Sequence, residues 1–431
     1  MAAVEVTNSI HVRAFHDEAA VVVTSVIRIS ELHYEEGVVV TSSKHIRELH
    51  YEAAVVVTNV KHICPLHNEV EVIVTHVIHI RQLPCTAALV VYNSPHILAL
   101  NNEAGVVVTN VHHIRQLTLM AAVEVTNSIH VRAFHDEAAV VVTSVIRISE
   151  LHYEEGVVVT SSKHIRELHY EAAAVVTNVK HICPLHNEVE VIVTHVIHIR
   201  QLPCTAALVV YNSPHILALN NEAGVVVTNV HHIRQLTLMA AVEVTNSIHV
   251  RAFHDEAAVV VTSVIRISEL HYEEGVVVTS SKHIRELHYE AAVVVTNVKH
   301  ICPLHNEVEV IVTHVIHIRQ LPCTAALVVS NATHIRTLDD ERGVVVTNNH
   351  IRQLTLMAAV EVTNSIHVRA FHDEAAVVVT SVIRISELHY EEGVVVTSSN
   401  HIRELDSEAT GKRGEFETKL YFNMPLSWKI E

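Results

Sequence analysis

The sequence predicts an all-β fold, an elongated β-solenoid of about 24 coils with 17 residues and two short strands per coil. Three observations predict it. A 17-residue period runs from 1 to 407, four apolar places are kept in every unit, and around two of them inward and outward residue types alternate one by one. A unit this short cannot bury its apolar side alone, so neighbours must stack.

The period is nested. Residues 1–119 recur as 120–238 with one change, Val55 to Ala174, and again as 239–356 with one residue missing and substitutions around 330–350; a partial copy fills 357–407. Inside each copy the short unit reads EAAVVVTSVIRISELHY (18–34), EEGVVVTSSKHIRELHY (35–51), EAAVVVTNVKHICPLHN (52–68) and so on. Seven units in each of three copies and three in the last make 24. The stretch 408–431, with Trp428, Tyr421 and two phenylalanines, is unrelated to the unit and reads as a C-terminal tail or a cap over the last layer. Met1 stands at the first place of a unit, where Met120, Met239 and Met357 recur, so the array is expected to start without a dedicated N-terminal cap.

Places are counted from Met1, Glu18, Glu35 and Glu52. The sixth is valine in all 24 units, the fourth is apolar, the twelfth is Ile or Val and the fifteenth is Leu or Phe. These four columns are the expected interior. The fourth and sixth places alternate with the third, fifth and seventh, which is strand spacing.

The second half of the unit admits two readings. HIRELHY (45–51) sets Ile46 and Leu49 three apart behind a Ser or Asn, which suits a short helix. That coil of one strand and one short helix resembles a shortened leucine-rich repeat. SVIRIS (25–30) and HVIHIR (76–81) alternate β-branched and polar residues instead, as a second strand does. Pro65 decides for the strand, because inside a helix it would remove a hydrogen bond and clash, whereas a bend after a strand accepts it. At about 4.8 Å per coil the whole array would extend on the order of 115 Å.

Composition excludes several classes. An apolar fraction of 49% with 18% charged residues is far from a disordered chain. Nine glycines and nine prolines are too few for a collagen or a glycine-rich silk, so Asn, Asp, Ser and Thr must make the turns. No apolar run approaches the ~20 residues of a membrane helix, and no basic segment followed by an apolar core marks a secretory leader. The six cysteines are three copies of one pair whose members hold different places of neighbouring units, so no direct bridge is expected.

The outward places of the first strand are Ala or Gly, then Val, then Thr, and Thr holds the seventh place in 21 of 24 units. Val22, Thr24, Val39, Thr41, Val56 and Thr58 are the proposed association face, interrupted at the fifth place by Glu5, Glu124, Glu243 and Glu361. A strip about 10 Å wide along such an array exceeds the apolar patch a monomer tolerates.

Histidine is the conspicuous residue. Of 39, 20 stand at the eleventh place and 14 at the sixteenth. Stacked coils bring like residues near strand spacing, so His45, His62, His79, His96 and His113 form an expected pH-responsive ladder. Such columns can hold Zn²⁺ or Cu²⁺, but no unit supplies the compact Cys and His spacing of a structural zinc site, and no metal is assigned.

No phosphate loop, nucleophile elbow, HExxH or dinucleotide fingerprint occurs, so no catalytic residue, cofactor or small-molecule ligand is expected and the chain is not read as an enzyme. The formal charge of −17 disfavours a nucleic-acid partner, although Arg13, Arg47, Arg81 and Arg115 form a basic stripe beside the acidic one of Glu18, Glu35, Glu52 and Glu69. Self-association is the expected interaction. Three readings of function follow: a structural protein pairing through its flat face; ice binding, since rows of Thr and Val on a flat solenoid face resemble those of insect and bacterial ice-binding solenoids; and a translated tandem repeat that stays open in one frame without selection.

Overall fold

The computed structural model describes residues 4–407 apart from 14, 18–19, 65, 69, 303, 307–308, 325, 341–342, 358, 374–375, 391–393 and 398–400. The proposed tail or cap at 408–431 lies outside the described residues. Among the described residues every element is a β-strand, and no helix is long and apolar enough to cross a membrane. The second half of the unit is therefore strand, and the leucine-rich alternative falls.

Contacts divide the chain into two compact units, one of residues 1–216 with 220–223 and the other of 217–219 with 224–431. The first holds 13 copies of the four-residue strand exemplified by Val21–Thr24 and Val106–Thr109. Within the unit they pair in parallel, each with the next one coil on: Val21 faces Val38, Val106 faces Val123 and Thr109 faces Thr126. The second unit holds 11 such strands, from Val225–Thr228 to Val394–Thr397, paired the same way. Parallel pairing at an offset of one repeat follows from the period itself, because only that register keeps every inward column inward.

Among the described side chains the four predicted columns are buried beyond the first coil, where Val4, Val6 and Val12 are half-buried. Val106, Val108, Ile114 and Leu117 of one coil are each at most 2% exposed. The second strand carries its own irregularity: in His113–Leu119 the side chains run out, in, out, out, in, out, in. Two successive outward residues, Arg115 and Gln116, mark a bend that reverses the phase of alternation. In other coils the strand is interrupted there, as at Cys183 and Pro184 between His181–Ile182 and Leu185–Asn187. A proline fits such a gap because its missing N–H breaks no ladder bond.

Phase reversal adds an interior column that the sequence pattern hides. The seventeenth place is buried although it holds Cys85, Asn102, Leu119, Asp136 and Tyr153 in turn. The ninth place is buried too, as Val26, Ser43, Val60, Val77 and Ser94. Valine and serine are both small enough for this tight corner, and the alternation between them masks the inward column.

The corner before it is made by the eighth residue. Asn8, Ser25, Ser42, Asn59, His76 and their repeats all take φ between 48° and 60°. This left-handed turn points the next side chain inward, and asparagine tolerates it best among residues with a side chain. The missing residue of the third copy falls just after this corner. There Val344 still faces Val360, and Thr347 still faces Thr363, so register survives a 16-residue coil. Asn349 fills the ninth place, accepting from the Ala332 N–H and donating to Thr347 O at 2.7 Å.

Candidate functional site: two histidine ladders and a flat face

Parallel stacking turns single residues into columns, several of them exposed. At the eleventh place the rings of His45 and His62 lie 4.8 Å apart, His62 and His79 4.9 Å, His79 and His96 4.9 Å, and His96 and His113 5.1 Å. Planes agree within 12° along this run. All five predicted ladder residues are thus brought together, and His130 extends the column at 5.1 Å from His113. His62, His96 and His130 titrate below the ordinary histidine range, first because partial burial disfavours the cation and then because neighbouring imidazoles and Lys61, His112 or Arg147 repel it. In-plane lone pairs of parallel rings run side by side and do not converge. Among the described residues no three His, Cys, Asp or Glu side chains meet as a metal would require.

The sixteenth place forms a second ladder. His33 stacks on His50 at 4.6 Å and His50 on His67 at 4.8 Å, and the pattern recurs at His152, His169 and His186 and, in the second unit, at His271, His288 and His305. Its imidazoles also bond carboxylates two residues back: Nε2 of His33 lies 2.9 Å from Glu31, and that of His50 3.0 Å from Glu48. The bond to His50 holds the Glu48 carboxyl below its usual range, and the same holds for Glu167 and Glu286. Sequence reasoning saw the histidine column and missed its glutamates. Their signal was the recurring Glu-Leu-His, two outward residues flanking an inward leucine.

The flat face is present. Val22, Thr24, Val39, Thr41, Val56 and Thr58 all point outward and are half-buried by their own neighbours in the column. Hydroxyls bond along the seventh-place column, Thr126 to Thr109 at 3.0 Å and Thr160 to Thr143 at 3.2 Å in the first unit, Thr245 to Thr228 at 3.1 Å in the second. At the eighth place Asn110 donates to Asn93 Oδ1 at 3.0 Å. Much of the polar demand of this face is met within it.

Inside the coils the polar residues differ in how they are satisfied. The Asn102 amide donates to Ala87 O at 2.9 Å and Ala104 O at 3.0 Å while its oxygen accepts from Glu103 N at 3.1 Å. Asp136, in the same column, accepts from the Ala138 N–H at 3.1 Å through Oδ1, whereas its buried Oδ2 has no protein partner. Burial raises the Asp136 carboxyl to about 7, and Asp255 likewise. Cys64 and Cys85 are free thiols, as are Cys183, Cys204 and Cys302, and burial pushes Cys85 and Cys204 up to about 12, which leaves them unreactive as nucleophiles. The chain matches no protein-family model, no curated protein and no solved structure.

Proposed function

We propose that this is a structural repeat protein that associates with further copies of itself through the flat face of its first strands. One observation carries the reading: the fifth-place valines are exposed, with Val107, Val141 and Val158 at 37–42% in the first unit and Val226, Val260 and Val277 at 37–42% in the second, their column broken only by Glu124 and Glu243 over these coils. Threonine hydroxyls beside that column are bonded to each other, so covering it strands few polar groups. A second copy carries the same lattice of side chains, so its contacts match at every coil and add along the array. The architecture offers no comparable argument for a globular partner.

Sedimentation and light scattering of the Val22→Lys, Val39→Lys variant, and of a triple variant adding Val56→Lys, test this. These half-buried outward positions admit lysine without disturbing the interior, so the circular dichroism should be unchanged while assembly weakens. Unchanged assembly in the triple variant removes the flat face as the contact. The threonine rows also support ice binding as a second reading, and a thermal hysteresis assay on the same variants separates the two.

A further inference from the structure

The eleventh and thirteenth places of the second strand point to the same side, and between their columns runs an open groove of about 640 Å³ in the first unit. His62, His79, His96, His113 and His130 form one wall, continued by Arg147, and Arg81, Arg115 and Arg132 stand along the other, with Leu98 breaking their row and Cys64 at its end. In a chain carrying 47 carboxylates, none lines this groove. The reason is local. At the fourteenth place, next to the arginine column, Glu48 and Glu150 stand at the two ends, but the coils between them hold Pro65, Gln82, Ala99, Gln116 and Ala133. In three of those five coils the second ladder loses its histidines too, to Pro84, Asn101 and Thr118, while His67 and His135 remain in the coils of Pro65 and Ala133.

We propose that this groove binds a linear polyanion carrying phosphate or sulfate groups, laid along the stack of coils. The eleventh-place imidazoles repeat along it at strand spacing, about 4.8 Å, over five coils or about 24 Å, with Arg81, Arg115 and Arg132 beside three of them, which suits a chain of regularly spaced oxyanions more than a single compact anion. Arginine engages such oxygens in a bidentate fork, and the imidazole edges present N–H donors beside it. A nucleic acid is less suited, because base stacking needs free ring faces and the faces of these imidazoles cover one another at 4.8–5.1 Å.

Binding is coupled to protons. After partial burial itself, the groups that hold His62, His96 and His130 below the ordinary range are the facing imidazoles of His45, His79, His112 and His113 with Lys61 and Arg147, all cationic or able to become so. An anion in the groove offsets that repulsion, so the imidazoles take up protons as it binds and affinity rises as pH falls.

The test measures binding of a labelled inorganic polyphosphate and of a sulfated oligosaccharide to the full chain at fixed ionic strength. Affinity should tighten about tenfold or more from about pH 7.5 to about pH 5.5 for at least one of them, which identifies the source, with proton uptake seen by calorimetry in two buffers. One variant carries Arg115→Gln and Arg132→Gln with the same change at their repeats Arg234, Arg251, Arg352 and Arg369. A control of equal charge replaces the six tenth-place lysines, Lys44, Lys61 and their repeats, by Gln. Both sets change outward residues, and circular dichroism confirms the fold. The arginine variant should lose binding by about 100-fold or more and the lysine control by far less. Equal losses in both, absence of binding at the lower pH, affinity independent of pH, or tighter binding of single-stranded DNA than of either probe at equal charge would each overturn the proposal.

Discussion

Asp136 stands in register with Tyr153 on the buried side of the second strand, its Oδ2 enclosed without a protein partner. Burial raises this carboxyl to about 7 from 3.8, and the backbone N–H groups of Ala138 and Glu137 offset only part of that. The folded value lies above the unfolded one, so the contribution is full below about pH 3.8 and is lost as pH rises through about 7. Asp136→Asn together with Asp255→Asn should therefore raise the thermal midpoint at about pH 8 and change it little near pH 4. Asn102 shows that this column accepts an amide. Melting curves across that range check it; a gain that does not grow with pH refutes the assignment.

The histidine ladders act in the opposite sense. His62, His96 and His130 have folded values below 6.5, so their contribution is complete above about pH 6.5 and is lost as pH falls below it. Charge adds an effect on association: protonating all 39 histidines carries the formal charge from −17 to +22, through zero near the calculated pI of 6.1. Repulsion between copies vanishes there. Light scattering from about pH 8 to about pH 4 at low salt should pass through a maximum near pH 6. Monotonic scattering would show that the ladders do not govern association.

The left-handed corner predicts a stabilising substitution. Ser144 holds φ 57°. Glycine relieves a strain of roughly 1–2 kcal/mol at such a site and returns part of it as unfolded-chain entropy, so Ser144→Gly should gain about 0.5–1 kcal/mol. Asn110→Val should do the reverse by roughly 1–3 kcal/mol, since it adds a β-branched residue at φ 57° and deletes the bond to Asn93. Denaturant midpoints measure both, and a loss on Ser144→Gly would show that the serine side chain contributes more than the strain costs.

Inward and outward places differ sharply in cost. Leu117 is 1% exposed and Val107 37%. Leu117→Ala should cost about 2–5 kcal/mol and Val107→Ala less than about 0.5 kcal/mol, although both residues belong to the same coil. Comparable losses would place the fifth column inside.

A period of 17 residues and four apolar columns were enough to read the coil, its two strands and the outward Val and Thr face. A β-ladder between identical units aligns identical residues, so any column of known identity becomes a known stack; the histidine ladder from His45 to His113 was legible for that reason. Tertiary structure alone decided where alternation changes phase. The bend at Arg115 and Gln116 turns Leu119 inward, its counterpart at Arg132 and Ala133 turns Asp136 inward, and the left-handed corner at Asn110 turns Val111 inward, because backbone geometry and not residue type sets direction at a corner. The groove was hidden for a related reason: it exists where Glu48 and Glu150 have no counterpart between them, and the loss of a charge becomes a surface only once the coils bring that gap beside a row of arginines.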